Sequence, residues 1–147
     1  MATIRHQGSG NILTTARVEI KTAVVQNENV EFEIDQPVGS VIDSFRVVNV
    51  GAIAMAGDLS VNLGSNSDHS GGEYVAATAC ELLDNTNDGD TSIAANTVTT
   101  ASAIAGGNAV YTTDSRRLFG RVNVADVAVT ITGDNVLYID CTFRIID

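Results

Sequence analysis

The side chains that could move a proton or attack an electrophile are few: two histidines, two cysteines and one lysine, Lys21, among 147 residues. A serine hydrolase brings a nucleophile, a base and an orienting acid together from separate stretches of chain. Asp68, His69 and Ser70 are instead neighbours in a Gly/Ser-rich stretch, and His6 sits close to the N-terminus. They read as a solvated loop and a tail. Glu31, Glu33 and Asp35 stand at alternate positions, so their carboxylates recur at ~7 Å, near the spacing of a glycosidase pair. Glycosidase carboxylates face each other across a sugar. These three point the same way, so the expected role is the outer face of a strand, where a row of acids discourages edge-to-edge pairing.

Asp84-Asn85-Thr86-Asn87-Asp88-Gly89-Asp90 has oxygen-bearing residues at positions one, three and five and Gly at six, like the first half of a calcium-binding EF-hand loop. The twelfth position is Ala95, where a bidentate Glu would close the site. A turn-rich solvent loop is the reading, with calcium binding as the alternative. Cys80 and Cys141 cannot make a zinc site alone and form no CxxC pair, so buried free thiols are expected, a disulfide being the other option. GxSxG, HExxH, P-loop and GxGxxG patterns are absent, and a single lysine leaves little basis for Schiff-base chemistry. No catalytic residue, metal or cofactor is expected. Arg116, Arg117 and Arg121 form one basic cluster, and alternation puts Arg117, Phe119 and Arg121 on one strand face. Those residue types are enriched at protein interfaces, although long Arg stems also simply cover a sheet.

The elements that must position these residues are β-strands. Gly is frequent, Val, Ile and Thr are abundant, and the residues that fill surface helices are scarce. Val30, Phe32 and Ile34 alternate with the three acids, giving a half-buried strand. Val18 to Val25 alternates similarly and is joined to it by Gln26-Asn27-Glu28-Asn29, which predicts a hairpin. Val41 to Val50 carries apolar residues of both parities (Ile42, Phe45, Val47, Val48, Val50) and predicts a central strand covered on both faces. Leu59 to Leu63 alternates again. Towards the C-terminus the parity sets are Leu118, Val122 and Val124, then Val127, Val129 and Ile131, then Leu137, Ile139, Cys141, Phe143 and Ile145. Thr132-Gly133-Asp134-Asn135 supplies a tight turn between the last two. Ser70 and Glu73 have capping-box spacing, and Val75, Ala79, Leu82 and Leu83 could share a helical face, so one short helix is expected around residues 71–83. Residues 84–107 read as a surface excursion with at most one short strand.

Eight basic residues stand against eighteen acidic ones, so the surface should repel a phosphate backbone and no nucleic-acid role is expected. No stretch approaches the ~20 apolar residues needed to span a bilayer, and the N-terminus has no apolar signal region, so neither a membrane nor a secretory role is expected. The positive charge is uneven. Arg5, Arg17 and Lys21 face only Glu19 in residues 1–21, which suggests an extended arm over 1–17, either solvated or docked on an acidic neighbour, ahead of a single β-sandwich domain over 18–147.

Three stretches carry a family resemblance: Val38 to Val47, Gly57 to Ser65 with the Ser/Asp/Gly loop that follows, and the terminal hairpin from Val127 to Ile145. Over residues 38–146 the chain resembles small jelly-roll structural proteins of tailed bacteriophages, especially the decoration (cement) proteins of capsid exteriors. The resemblance implies an all-β, antiparallel, jelly-roll-like sandwich on the outside of a virion. It implies a non-enzymatic protein that binds the major capsid protein, often as a homotrimer, and stabilises the shell. Arg5, Arg17, Arg117, Phe119 and Arg121 are then the candidate partner contacts. The alternative is a tail-fibre or receptor-binding module, against whose glycan-binding form stands the absence of Trp.

Overall fold

The computed structural model describes residues 11–21, 29–54, 57–105, 110–124 and 136–146. Its strands are β1 (Asn11–Lys21), β2 (Val30–Gln36), β3 (Ser40–Asn49), β4 (Ile53–Ala54), β5 (Leu59–Gly64), β6 (Glu73–Val75), β7 (Glu81–Leu83), β8 (Ser92–Ile93), β9 (Thr97–Thr100), β10 (Arg116–Val124) and β11 (Val136–Ile146). Pairing is antiparallel and nested: β1 with β11, β2 with β10, β3 with β9 and β5 with β6. The chain is thus one long two-stranded ribbon that turns back at the loop between β5 and β6. Rolling that ribbon puts successive pairs alternately into two sheets, β1-β11-β3-β9 and β2-β10-β5-β6, with β7 also on β5. This is a jelly-roll sandwich. Below, sheet A is the one containing β11 and sheet B the one containing β10; β4 and β8 form a separate short ladder.

Between the sheets lie the side chains that strand parity selects. Leu137, Ile139, Cys141 and Phe143 of β11, Leu118 and Val122 of β10, and Phe45 and Val47 of β3 are all at most 1% exposed. β3 lies centrally, as expected, but its two parities have a different cause from coverage on both faces. Thr142 pairs with Ser44 and Phe143 with Ile42, so Asp43 is the extra residue of a β-bulge. The bulge shifts the alternation by one, and Ile42 and Phe45 both point inwards. On β10, Gly120 lies opposite Phe32, whose ring occupies the space where a Cβ on Gly120 would sit, 2.0 Å from the nearest ring atom. That close approach lets an aromatic ring lie flat over the strand.

Four further expectations are corrected. The hairpin of Val18–Val25 with the acidic strand does not form, because β1 pairs with β11 in sheet A and β2 with β10 in sheet B. Local turn signals suggested neighbours, while the rolled ribbon gave each strand a distant mate. Asn11–Arg17, expected in an arm, belong to β1 and pair with β11 residue by residue. The helix over 71–83 is replaced by β6, a single 3-10 turn at Ala77–Ala79, and β7. Gly72 has a left-handed φ of 63° and Tyr74 and Val75 are buried, so extended pairing with β5 outweighs helix propensity there. The excursion over 84–107 contains two short strands, β8 and β9, rather than at most one, together with a four-residue helix at Asn85–Asp88. Residues 22–28, the strand expected at 127–131 and the turn at 132–135 lie outside the described residues.

Candidate functional site

The outer face of sheet B joins two features that the sequence keeps apart. Register sets Arg117 opposite Asp35, Phe119 opposite Glu33 and Arg121 opposite Glu31. The acid row of β2 and the Arg-Phe-Arg row of β10 are therefore one patch. Arg117 approaches Glu33 at 3.2 Å and Asp35 at 3.4 Å, and Arg121 bonds Glu31 at 2.9 Å. The Arg121 hydrogen bond holds the Glu31 carboxyl below its ordinary range against the cost of desolvation, with the charges of Arg121 and His69 adding to it. These carboxylates and Arg117 are more than half exposed. Water screens such pairs, so they order the surface more than they stabilise it.

Beside them, the loop after β5 folds over the same face. His69, in a left-handed conformation with φ 58°, buries its ring with Nδ1 3.5 Å from the Asn62 amide and Nε2 3.4 Å from Glu31. Asn123 in turn donates to Asn62 at 3.0 Å. Glu31, Phe32, Glu33, Ser67, His69, Phe119 and Gly120 line a groove of about 350 Å³. Ser70 does not address this histidine: its amide and hydroxyl both donate to Asp68, at 3.0 and 2.7 Å. Those bonds hold the Asp68 carboxyl below its ordinary range. The neighbours Asp68, His69 and Ser70 form an Asx turn and a buried ring, not a proton relay.

Sheet A carries a different ionic motif. Arg17, Asp140 and Arg46 stand side by side on β1, β11 and β3. Arg17 binds Asp140 in a two-point fork, at 2.7 and 2.8 Å, with its guanidinium 4.5 Å from the Tyr138 ring centre. Arg46 completes the row at 3.8 Å. Asp140 is 1% exposed, and the fork from Arg17 keeps its carboxyl below the ordinary range despite burial. Arg17 is thereby part of the sheet, not of an arm, while Arg5 lies outside the described residues.

Other polar groups are occupied by local structure, while Asn49 Oδ1, Arg121 Nε and Arg144 Nε are buried with no hydrogen-bond partner among the described residues. Gln36 is fully buried, donates to the carbonyls of Ser40 and Val110 at 3.0 and 2.7 Å, and accepts from Arg116 at 2.8 Å. Arg116 also lies 4.9 Å from the Tyr74 ring centre. In the acidic loop, Asp84 accepts from the amide of Asn87 at 3.0 Å and caps the short helix, and Asp58 accepts from the amide and hydroxyl of Thr86 at 2.9 and 2.6 Å. Those oxygens serve backbone and hydroxyl donors, and among the described residues no group of three His, Cys, Asp or Glu is placed to hold an ion. Cys80 and Cys141 are free and buried, and burial pushes both thiols up to about 12.

One apolar cluster escaped the sequence reading. Seven large hydrophobic residues are exposed among the described residues, and five of them, Ile12, Leu13, Val38, Tyr111 and Ile146, gather at one end of the sandwich. Asn11 pairs with Ile146, the Ile146 amide donates to Gly39 at 2.7 Å, and the Gly39 amide donates to Thr112 at 2.9 Å. Adjacent apolar residues in a strand, as at Ile12-Leu13, signal that one face must be left open. Their convergence with Val38 and Tyr111 needs the fold.

No protein-family profile matches the chain, and no curated protein matches it. Among solved structures it is similar to a chain of the cyanophage Pam1 capsid asymmetric unit, at 12% identity, covering 99% of this chain and 93% of that one with a TM-score of 0.49. It is also similar to desmodium yellow mottle tymovirus, at 12% identity over the same shares, with a TM-score of 0.34. The strand order described above, rather than these likenesses, defines the fold.

Proposed function

We propose that this chain is a non-enzymatic structural protein of a tailed-bacteriophage virion, a decoration (cement) protein that binds the outer capsid surface and stabilises the shell. The observation that carries the reading is the contrast between a closed interior and an open apolar end. Jelly rolls serve as viral coat domains, lectins and cupins. A cupin places metal ligands inside the roll, whereas here the described space between the sheets is filled by Phe32, Phe45, Phe143 and aliphatic side chains. The outer acids and arginines largely satisfy one another. Five of the seven exposed large hydrophobic residues, Ile12, Leu13, Val38, Tyr111 and Ile146, lie at the same end of the fold, an arrangement of the kind that marks an assembly surface.

Such a protein works by spanning the boundary between neighbouring capsomers, so that separating them must expose surface that binding had buried. In this reading the partner is the major capsid protein and the protein acts as a homotrimer. Arg117, Phe119 and Arg121 supply a second contact, and residues 1–10 with Arg5 supply an anchoring arm, with Arg17 reassigned to the sheet. The test is co-sedimentation of the purified protein with assembled phage heads, followed by heating or chelation of decorated and bare heads. Binding with a raised disruption threshold supports the proposal. Deleting residues 2–10 tests the arm, and Val38→Asp with Tyr111→Asp tests the apolar end; unchanged binding removes that contact from the proposal.

The groove at Phe119, His69, Glu31 and Glu33 favours a second reading, a receptor-binding module, because an aromatic face beside carboxylates suits a sugar. A protein that ignores phage heads and is retained by an immobilised glycan would replace the first reading with this one.

A further inference from the structure

Each sheet has two edges, and the four edges differ. In sheet A, β9 is four residues long. In sheet B, β6 and β7 are three residues each and join β5 through irregular register, while β2 carries the row Glu31, Glu33 and Asp35. Shortness, irregularity and like charge are the devices by which proteins keep sheet edges from pairing. β1 is neither short nor irregular, and its charges, Arg17, Glu19 and Lys21, are of both signs. It runs for eleven residues without proline, pairs with β11 in unbroken register, and has no second strand partner among the described residues.

We propose that β1 is a strand-pairing edge whose occupant is the β1 of a second copy, joined antiparallel about a two-fold axis at Val18. Charge complementarity selects this occupant and register. In a two-fold antiparallel pair, directly opposed residues lie on one face and their numbers sum to a constant. Centring on Val18 sets Arg17 against Glu19 of the other copy, twice, and Thr15 against Lys21. Centring on Arg17 or Glu19 would set that residue against its own copy, and centring on Glu19 would also set Arg17 against Lys21. Centring on Ala16 leaves Arg17 opposite Thr15, and centring on Ile20 overlaps only the last residues of the strand. Glu19 has no ion-pair partner among the described residues. Arg17 bonds Asp140 through Nε and Nη2 and still keeps its side chain 53% exposed on the strand that forms the edge. The product is a continuous sheet in which β1 is no longer an edge, and it is independent of any trimer contact made elsewhere.

Analytical ultracentrifugation of the full chain tests the mass. A dimer, or a hexamer if the chain also trimerises, is expected; a monomer or trimer at micromolar concentration overturns the proposal. Single-cysteine cross-linking tests the register. Val18→Cys, opposite itself at a Cβ separation of ~4.5–5.5 Å, should form a covalent dimer under mild oxidation or with a short bifunctional maleimide. Thr14→Cys should not, and the wild type, whose own cysteines are buried, should not either. Cross-linking of both variants alike, or of neither, overturns the register. Glu19→Lys replaces two attractive contacts by two repulsive ones and should weaken association roughly tenfold. An unchanged dissociation constant would sink the charge argument, and an unchanged denaturation midpoint confirms that the variant is folded.

Discussion

The outer faces of the two sheets use the same chemistry, carboxylates on one strand opposite arginines on the next, with opposite energetic weight. On sheet A, Asp140 is almost wholly buried, with Arg17 forked onto it, Arg46 on its other side and the Tyr138 ring against Arg17. On sheet B, Glu31, Glu33 and Asp35 stay in solvent beside Arg117 and Arg121. β11 sits between two strands whose long side chains roof it, whereas β2 pairs only with β10 among the described residues. The lesson is that an ion pair's place in the sheet, more than its residue types, decides whether it holds the fold together.

The largest expected effect tests the layer beneath sheet B. Gly120→Ala drives a methyl group into the Phe32 ring and should cost about 3 kcal/mol in chemical denaturation. Phe32→Ala alone costs a similar amount through its cavity. The double variant should therefore be less destabilised than the two losses added, and strict additivity would refute the collision. Next, Arg17→Ala leaves the Asp140 carboxylate with only the longer Arg46 contact and should lower the denaturation midpoint clearly. The counterpart on sheet B, Arg117→Ala, should cost less than about 1 kcal/mol and show salt dependence. Equal losses at Arg17 and Arg117 would break the comparison.

Acid should separate the faces further. The folded state holds the Asp140 carboxyl below its ordinary value, so its contribution is present above the unfolded pKa of about 3.9 and disappears as pH falls through the lower folded value. Denaturation midpoints should therefore drop below about pH 4 in the wild type, and the drop should be shallower in Asp140→Asn. Glu31 is shifted in the same direction but sits in solvent, so Glu31→Gln should leave the acid limb almost unaltered. The smallest effect is on the thiols. With both pushed up to about 12, Cys80 and Cys141 should resist iodoacetamide at pH 8 until the protein is unfolded.

Much of the fold was legible where alternation was strict. Leu137, Ile139, Cys141 and Phe143 face inwards as parity requires, and the acids of β2 face outwards. Alternation failed at β3, where one bulged residue mimicked a strand covered on both faces, and over residues 71–83, where helical spacing of apolar residues coincided with two short strands. The candidate surface was legible in pieces: Arg117, Phe119 and Arg121 were expected to share a face, but nothing local says that Glu31, Glu33 and Asp35 lie opposite them. His69 gave no signal of burial, since a Gly/Ser loop is exposed until a sheet face is found beneath it.

By itself, the sequence determined which residues point inwards wherever alternation was strict, and that the chain is built of β-strands. Those properties depend on a two-residue period and on residue type, both local. Only the tertiary structure decided who pairs with whom: β1 with β11 rather than β2, Arg17 with Asp140, and five exposed apolar residues at one end. Partners separated by more than a hundred residues are chosen by the rolling of the whole ribbon, in which register at each pair depends on every pair nested inside it.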